Sequence, residues 1–184
     1  MLHEIIIAGF GGQGVLSMGQ LMAHAGMMEG RHVAWIPSYG PEMRGGTANC
    51  GVTISDSPIS CPVVTNPTCA IVLNNPSLVK FAPLVKPGGL LLVDGTLVDE
   101  KSERTDITAY YIPASQIADE LGNARIANIV LLGAFITLTG ALQPESVLAA
   151  LKKVLPERRH HLIPLNEKAL QAGVDYIRRV VAQC

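Results

Sequence analysis

The chain has 184 residues, 48% hydrophobic and only 16% charged, and its 14 Lys and Arg nearly cancel its 15 Asp and Glu, leaving a net charge of −1. That balance, with 4% aromatic residues and no basic run, excludes a nucleic-acid-binding face. The longest apolar stretch, Ile126–Leu142, is interrupted by Asn128, Thr137 and Thr139 and is too short and too polar for a membrane span.

The length predicts a single domain over residues 1–184. So few charges fit either a small α/β domain with many buried strands or a subunit whose surface is covered by partners. Ala, Gly and Met supply much of the apolar excess, which favours the second. The sequence opens at once on a strand with no leader, which predicts a cytoplasmic protein.

In chain order, Glu4–Ala8 is a β-branched run ending in glycines and reads as a buried parallel strand. Leu16, Met18, Leu21, Met22, Ala25 and Met28 then fall at helical spacing over Val15–Glu29, and Gly30 stops that helix. His32–Ile36 is a second strand, ended by Pro37. The resulting strand–helix–strand unit predicts a parallel pair with a right-handed crossover. Ser38–Gly46 is a loop. Thr47–Ser55 alternates, with Ala48, Cys50, Val52 and Ile54 on one face, and follows with no intervening helix, so it is open to an antiparallel pairing. Asp56–Pro67 carries three prolines and is irregular. Beyond it the pattern predicts strands at Cys69–Asn74, Leu90–Asp94 and Ala109–Ile112, and short helices at Pro76–Leu84 and Ser115–Leu121. Ala127–Leu138 is a helix apolar on most sides, and Pro144–Leu155 and Pro164–Val181 are amphipathic closing helices. This succession predicts a three-layer α/β sandwich of Rossmann-like type with a mostly parallel sheet.

Gly9-Phe10-Gly11-Gly12-Gln13-Gly14 is a G-x-G-x-x-G between strand and helix. Such a loop lets a ligand approach the backbone and presents free helix N–H groups to an anion. A dinucleotide site also needs an acid at the end of the next strand, and Ala34-Trp35-Ile36-Pro37-Ser38 holds none. No Gly-Lys-Ser/Thr follows, so it is not a P-loop. Gly11, Gly12, Gln13 and Gly14 therefore remain candidates for a phosphate contact or for a partner's backbone, with Gln13 free to hydrogen-bond across an interface.

The second candidate is Ser38–Ala48, at the carboxyl edge of the second strand, where open α/β sheets bind ligands. Its Tyr39, Glu42, Arg44, Gly45 and Gly46 join the candidate site, and Glu42 and Arg44 can also simply pair with each other. Asn74 ends a strand at the same edge. Asp94 does too, but reads first as the cap of its own turn.

The pairing of "GFGGQGV" with "PSYGPEMRGGTANC", followed by "VDGTLV" and by "ARIANIVLLGAF" carrying Asn128 and Gly133, resembles the gamma subunit of the 2-oxoacid:ferredoxin oxidoreductases over nearly the whole chain. The form "YGPEMRGG" is similar to the 2-oxoglutarate and branched-chain 2-oxoacid enzymes, within the pyruvate/ketoisovalerate oxidoreductase family, more than to the indolepyruvate enzymes. The resemblance implies an assembly that oxidatively decarboxylates a 2-oxoacid, 2-oxoglutarate first among them, to an acyl-coenzyme A and reduces ferredoxin. It places thiamine diphosphate and Mg between alpha and beta subunits, and [4Fe-4S] clusters on ferredoxin-like parts such as a delta subunit. This chain would hold no cofactor alone and carry no catalytic residue. It would pack on the catalytic subunits and help form the coenzyme A (CoA) channel, with Arg44 meeting a CoA phosphate or a partner carboxylate. Alone it is expected to form a homodimer or to be poorly soluble. The competing reading is a free-standing nucleotide-binding domain that homodimerises.

The remaining chemistry is sparse. Cys50, Cys61, Cys69 and Cys184 form no C-x-x-C pair, so no iron–sulfur or zinc site is expected; Cys50 and Cys69 read as buried apolar residues and Cys61 as more exposed. His160-His161, after Arg158-Arg159, reads as a solvated turn.

Overall fold

The computed structural model describes residues 1–38 and 46–183. In chain order the elements are β1 (Leu2–Phe10), α1 (Val15–Met28), β2 (His32–Ser38), β3 (Thr47–Ser55), β4 (Cys69–Val72), α2 (Asn75–Phe81), β5 (Leu90–Asp94), β6 (Thr108–Ile112), α3 (Ala114–Glu120), α4 (Ala127–Thr139), α5 (Pro144–Val154) and α6 (Ile163–Ala182). Three short 3₁₀ segments, Ala82–Leu84, Ala124–Ile126 and Glu157–Leu162, join them. These segments carry no hydrophobic period of their own and are invisible to pattern reading.

The six strands among the described residues form one sheet in the order β2-β3-β1-β4-β5-β6. β1, β4, β5 and β6 pair in parallel, while β3 lies antiparallel to both β1 and β2. This corrects one expectation. β1 and β2 run in the same direction, but they do not pair, because β3 inserts between them. β1 is buried on both faces at Ile5–Ala8 and so sits at the centre, with β3 on one side and β4 on the other. A second correction concerns Pro37, which does not end β2. The strand runs on to Ser38, with Pro37 opposite Cys50. Proline is tolerated there because β2 is an edge strand.

Alternation divides the sheet's side chains between two cores. Ile5, Ile7, Cys50, Val52, Ile54, Cys69, Ile71, Leu92 and Ile112 face α1, α3, α4, α5 and α6. Ile6, Ala8, Ala70, Val72, Leu91 and Val93 face α2 and the 3₁₀ turn behind it. The three layers are therefore unequal: among the described residues five α-helices lie on one face and one short α-helix on the other.

Helix α1 ends as its sequence requires. Gly30 takes φ 71°, the N–H of Arg31 reaches Gly26 O at 3.0 Å and that of Gly30 reaches Met27 O at 3.0 Å. This double closure satisfies the last carbonyls with glycine in the left-handed position. α4 is buried from Ala127 to Ile136. A helix apolar all round must be enclosed, and α4 is packed among β5, α1, α3 and α6. Against α6 the two backbones meet at Gly133 and Gly173, where neither position has room for a Cβ.

Candidate functional site

The first loop leaves β1 and enters α1 through Gly14, the helix N-cap, at φ 76°. No side chain caps this end and no acid stands in the first turn. The loop is nevertheless firmly held. Gln13 accepts a hydrogen bond from the Phe10 N–H at Oε1 (2.6 Å) and donates through Nε2 to Leu73 O (3.1 Å). Asn128, 6% exposed at the start of α4, donates through Nδ2 to Gly14 O at 3.1 Å. Gly11 N–H donates to Gly46 O at 3.0 Å, tying the loop to the entry of β3.

Topology decides what such a loop can bind. In an open α/β sheet the ligand crevice lies where successive crossovers leave for opposite faces. Here α1 follows β1 onto one face and α2 follows β4 onto the other, so that crevice lies between the ends of β1 and β4. Gln13 spans it from Phe10 to Leu73. The missing acid also has a structural counterpart. With β3 interposed, the end of β2 stands two strand spacings from β1, about 9.6 Å at ~4.8 Å each. A carboxylate there would not stand on the strand next to the loop. The G-x-G-x-x-G is thus a glycine loop without the frame of a dinucleotide site.

The open space lies on the other side of the loop. A cleft of about 760 Å³ runs between the glycine loop and first turns of α1, the entry of β3, the start of α4 and the segment joining α5 to α6. Leu21, Ile129, Leu151 and Leu155 give it an apolar floor, and Arg125 and Arg159 are the two cations in its lining among the described residues. Neither guanidinium has a hydrogen-bonding or ionic partner among the described residues. Gly11, Gly12, Gly14 and Gly46 line this cleft; Gln13 and Asn74 do not. The arrangement suits an anionic group at the rim attached to an apolar or extended body.

Asn74 sits at the carboxyl edge of β4, but it is 3% exposed and serves as N-cap of α2, its Oδ1 accepting the Ser77 N–H at 2.8 Å. Gln13 turns its amide toward the chain itself, accepting from the Phe10 N–H and donating to Leu73 O. Tyr39, Glu42, Arg44 and Gly45 lie outside the described residues. Asp94 is fully buried and accepts the N–H groups of Thr96 and Ser115 at 3.2 Å each, together with the Ser115 hydroxyl. It caps both its own turn and the start of α3, where the N-cap position is Pro113, which has no side-chain acceptor. Cys50 and Cys69 are buried and Cys61 is exposed. Burial pushes the Cys50 thiol up to about 12 and raises that of Cys69 as well. His160 lies within the 3₁₀ segment Glu157–Leu162, its Nε2 2.9 Å from Leu155 O. Sequence reading missed Arg125 and Arg159 as site residues. Each stands at a 3₁₀ segment far along the chain from the glycine loop, and only the tertiary fold brings them to one cleft.

The model of the pyruvate ferredoxin/flavodoxin oxidoreductase family matches residues 4–176. The ketoisovalerate oxidoreductase subunit VorA of Methanothermobacter marburgensis is 44% identical over 178 residues, covering 96% of this chain and 37% of VorA. The chain thus spans little more than a third of that relative. The 2-oxoglutarate synthase subunit KorC of Methanocaldococcus jannaschii is 38% identical over 160 residues, covering 85% of this chain and 86% of KorC. Among solved structures, the keto/oxoacid ferredoxin oxidoreductase gamma subunit of Geobacter sulfurreducens superposes with a TM-score of 0.82 at 31% identity, covering 96% of this chain and 99% of that one. Matched along its length in both sequence and fold, the chain belongs to the pyruvate ferredoxin/flavodoxin oxidoreductase family, in which its full-length counterpart is a gamma subunit.

Proposed function

We propose that the chain is the gamma subunit of a thiamine-diphosphate-dependent 2-oxoacid:ferredoxin oxidoreductase, inactive alone and completed by alpha and beta subunits and a ferredoxin-like part. The observation that carries this reading is the near end-to-end correspondence with KorC and with a gamma subunit of known structure. The reaction of the assembly converts a 2-oxoacid and CoA to acyl-CoA, CO₂ and a proton, and passes two electrons to ferredoxin. 2-Oxoglutarate is the first substrate to test and 3-methyl-2-oxobutanoate the second, from the names of the two relatives.

The residues of this chain fit the groups of that reaction unequally. An iron–sulfur cluster has no ligand set among the described residues, which hold no group of three His, Cys, Asp or Glu able to bind a metal. CoA fits the cleft beside the glycine loop. Its phosphates match the two guanidiniums and the α1 N-terminus, and its pantetheine arm matches the apolar floor. The role of this chain is then to hold and orient CoA against the catalytic subunits and to keep water from the channel. Arg44, two residues before Gly46, is the further candidate for a CoA phosphate or a partner carboxylate.

The test is reconstitution. Co-expressed with the neighbouring alpha and beta reading frames, the chain should co-purify with them and support CoA-dependent reduction of ferredoxin by a 2-oxoacid; a complex of full activity without it rejects the reading. In the complex, Arg125→Ala, Arg159→Ala and Arg44→Ala should each raise the KM for CoA by about threefold to tenfold, the loss of one charge-assisted contact. Unchanged values for all three would remove CoA from the cleft. A stable, partnerless homodimer that binds NAD or ATP would favour the competing reading.

A further inference from the structure

The sequence raises a question that membership of the family does not answer: why the glycine loop keeps its three motif glycines when the frame of a dinucleotide site is absent. The contacts supply a reason. A Cβ at Gly9 would lie 2.5 Å from Gln13 Oε1, and one at Gly14 would lie 2.5 Å from Asn128 Nδ2. The first and last motif glycines thus make room for two side-chain amides. Gln13 bridges the ends of β1 and β4 across the crevice where this topology otherwise receives a ligand. Asn128 joins the last loop carbonyl to α4 and accepts the Ile129 N–H at 3.0 Å. Each amide uses both its donor and its acceptor within the chain.

We propose that Gln13 and Asn128 are positioning residues: Gln13 fills the switch-point crevice, Asn128 ties the end of the loop to α4 from the cleft side, and together they hold the glycine loop in a ligand-ready shape without a nucleotide, with the α1 N-terminus toward the cleft. Gly12, Gly14, Val15, Leu16 and Ser17 all line that cleft, whereas Gln13, which sets their course, does not. A loop held from two sides loses little conformational entropy when its ligand arrives. The inference about CoA rests on the function proposed above; the inference about the loop does not.

Hydrogen–deuterium exchange of the assembled oxidoreductase, read with steady-state kinetics on the same samples, separates the two. Gln13→Ala and Asn128→Ala should speed exchange in peptides spanning residues 9–14 by about tenfold while leaving β4 and the body of α4 protected. The KM for CoA should rise about fivefold with kcat within about twofold. Gln13→Glu keeps the acceptor for the Phe10 N–H and loses the donor to Leu73 O, so it should fall between wild type and Gln13→Ala; it also serves if the alanine variant does not assemble. Unchanged exchange in residues 9–14, or a rise shared by the whole chain, would overturn the positioning role. Faster exchange confined to the loop with an unchanged KM for CoA would uphold the positioning role and reject CoA as the occupant of the cleft.

Discussion

Two regions of this chain depend on glycine for closeness, and they differ in what comes close. In the first loop the neighbours of Gly9 and Gly14 are the ends of side chains, Gln13 Oε1 and Asn128 Nδ2. Between α4 and α6 the neighbours are backbone. A Cβ at Gly133 would overlap Leu170 O and lie 3.1 Å from Val174 N, and one at Gly173 would overlap Val130 O and lie 3.2 Å from Ala134 N. A side-chain amide can rotate away at the cost of its hydrogen bonds. A helix backbone cannot, so the two helices would have to separate along their length. The loop glycines therefore serve a local shape that other residues can partly release, while the helix glycines set the spacing of the core. The same residue type carries a site in one region and the fold in the other.

This difference predicts an order of effects. Gly173→Ala and Gly133→Ala should each destabilise the chain by about 3 kcal/mol or more, because no rotamer change relieves a backbone overlap in a close-packed core. The midpoint of urea unfolding measures it. A loss under about 1 kcal/mol would mean that α6 slides freely on α4 and would collapse the distinction. Gly14→Ala should cost about 2 kcal/mol, part from the clash with Asn128 and part from placing alanine at φ 76°. The parts separate in a double-mutant cycle. In an Asn128→Ala background the clash is gone and only the backbone strain remains, so the two substitutions should couple favourably by roughly 0.5–1 kcal/mol. Gly9→Ala with Gln13→Ala should couple in the same sense but less, since Val15 and Leu73 also crowd that position at 3.1 and 3.2 Å. Additive cycles at both positions would show that the amides do not confine the loop.

The contrast also explains what was legible in the sequence. Elements with a strong period of their own could be read directly: the alternation of β3 and the apolar run of α4 both fall where they were expected, to within one residue at each end. The pairing of β1 with β2 could not. A strand–helix–strand pattern fixes the direction of its two strands, but only the later antiparallel return of β3 shows that another strand lies between them. The site divides in the same way. Gly11, Gly12, Gly14 and Gly46 come from local motifs and do line the cleft. The bond from Gln13 to Leu73 O, 60 residues away, could not be read from the motif. Arg125, Arg159 and the clamp from Asn128 to Gly14, 114 residues apart, are likewise products of tertiary folding. Asn128 and Gly133 were visible only as members of a familiar motif, with no reason attached. The reasons are a carbonyl and a crossing helix, neither of which leaves a mark in the neighbouring sequence.

The smallest effect should come from the β1 end of the same core, where contact is again through a side chain. His3 lies edge-on to Phe135 of α4, ring centres 6.3 Å apart at 79°. Burial first, then the N-terminal ammonium, then Arg31, disfavour its protonated form and hold it below its ordinary value of 6.5. The unfolded chain therefore binds this proton more readily than the folded one, and stability rises with pH across that interval. The contribution is fully present above the unfolded value and is lost as pH falls through 6.5 toward the folded value. Urea midpoints taken between about pH 8 and pH 5 should fall more steeply for the wild type than for His3→Gln, which cannot titrate. Asp56 moderates the effect, since its carboxylate pairs with both the N-terminal ammonium and Arg31. Neutralising it with Asp56→Asn should leave those two positive charges less compensated and steepen the wild-type dependence. Parallel curves for wild type and His3→Gln would show that α4 yields around a charged ring, contrary to the rigidity that Gly133 and Gly173 impose on its other side.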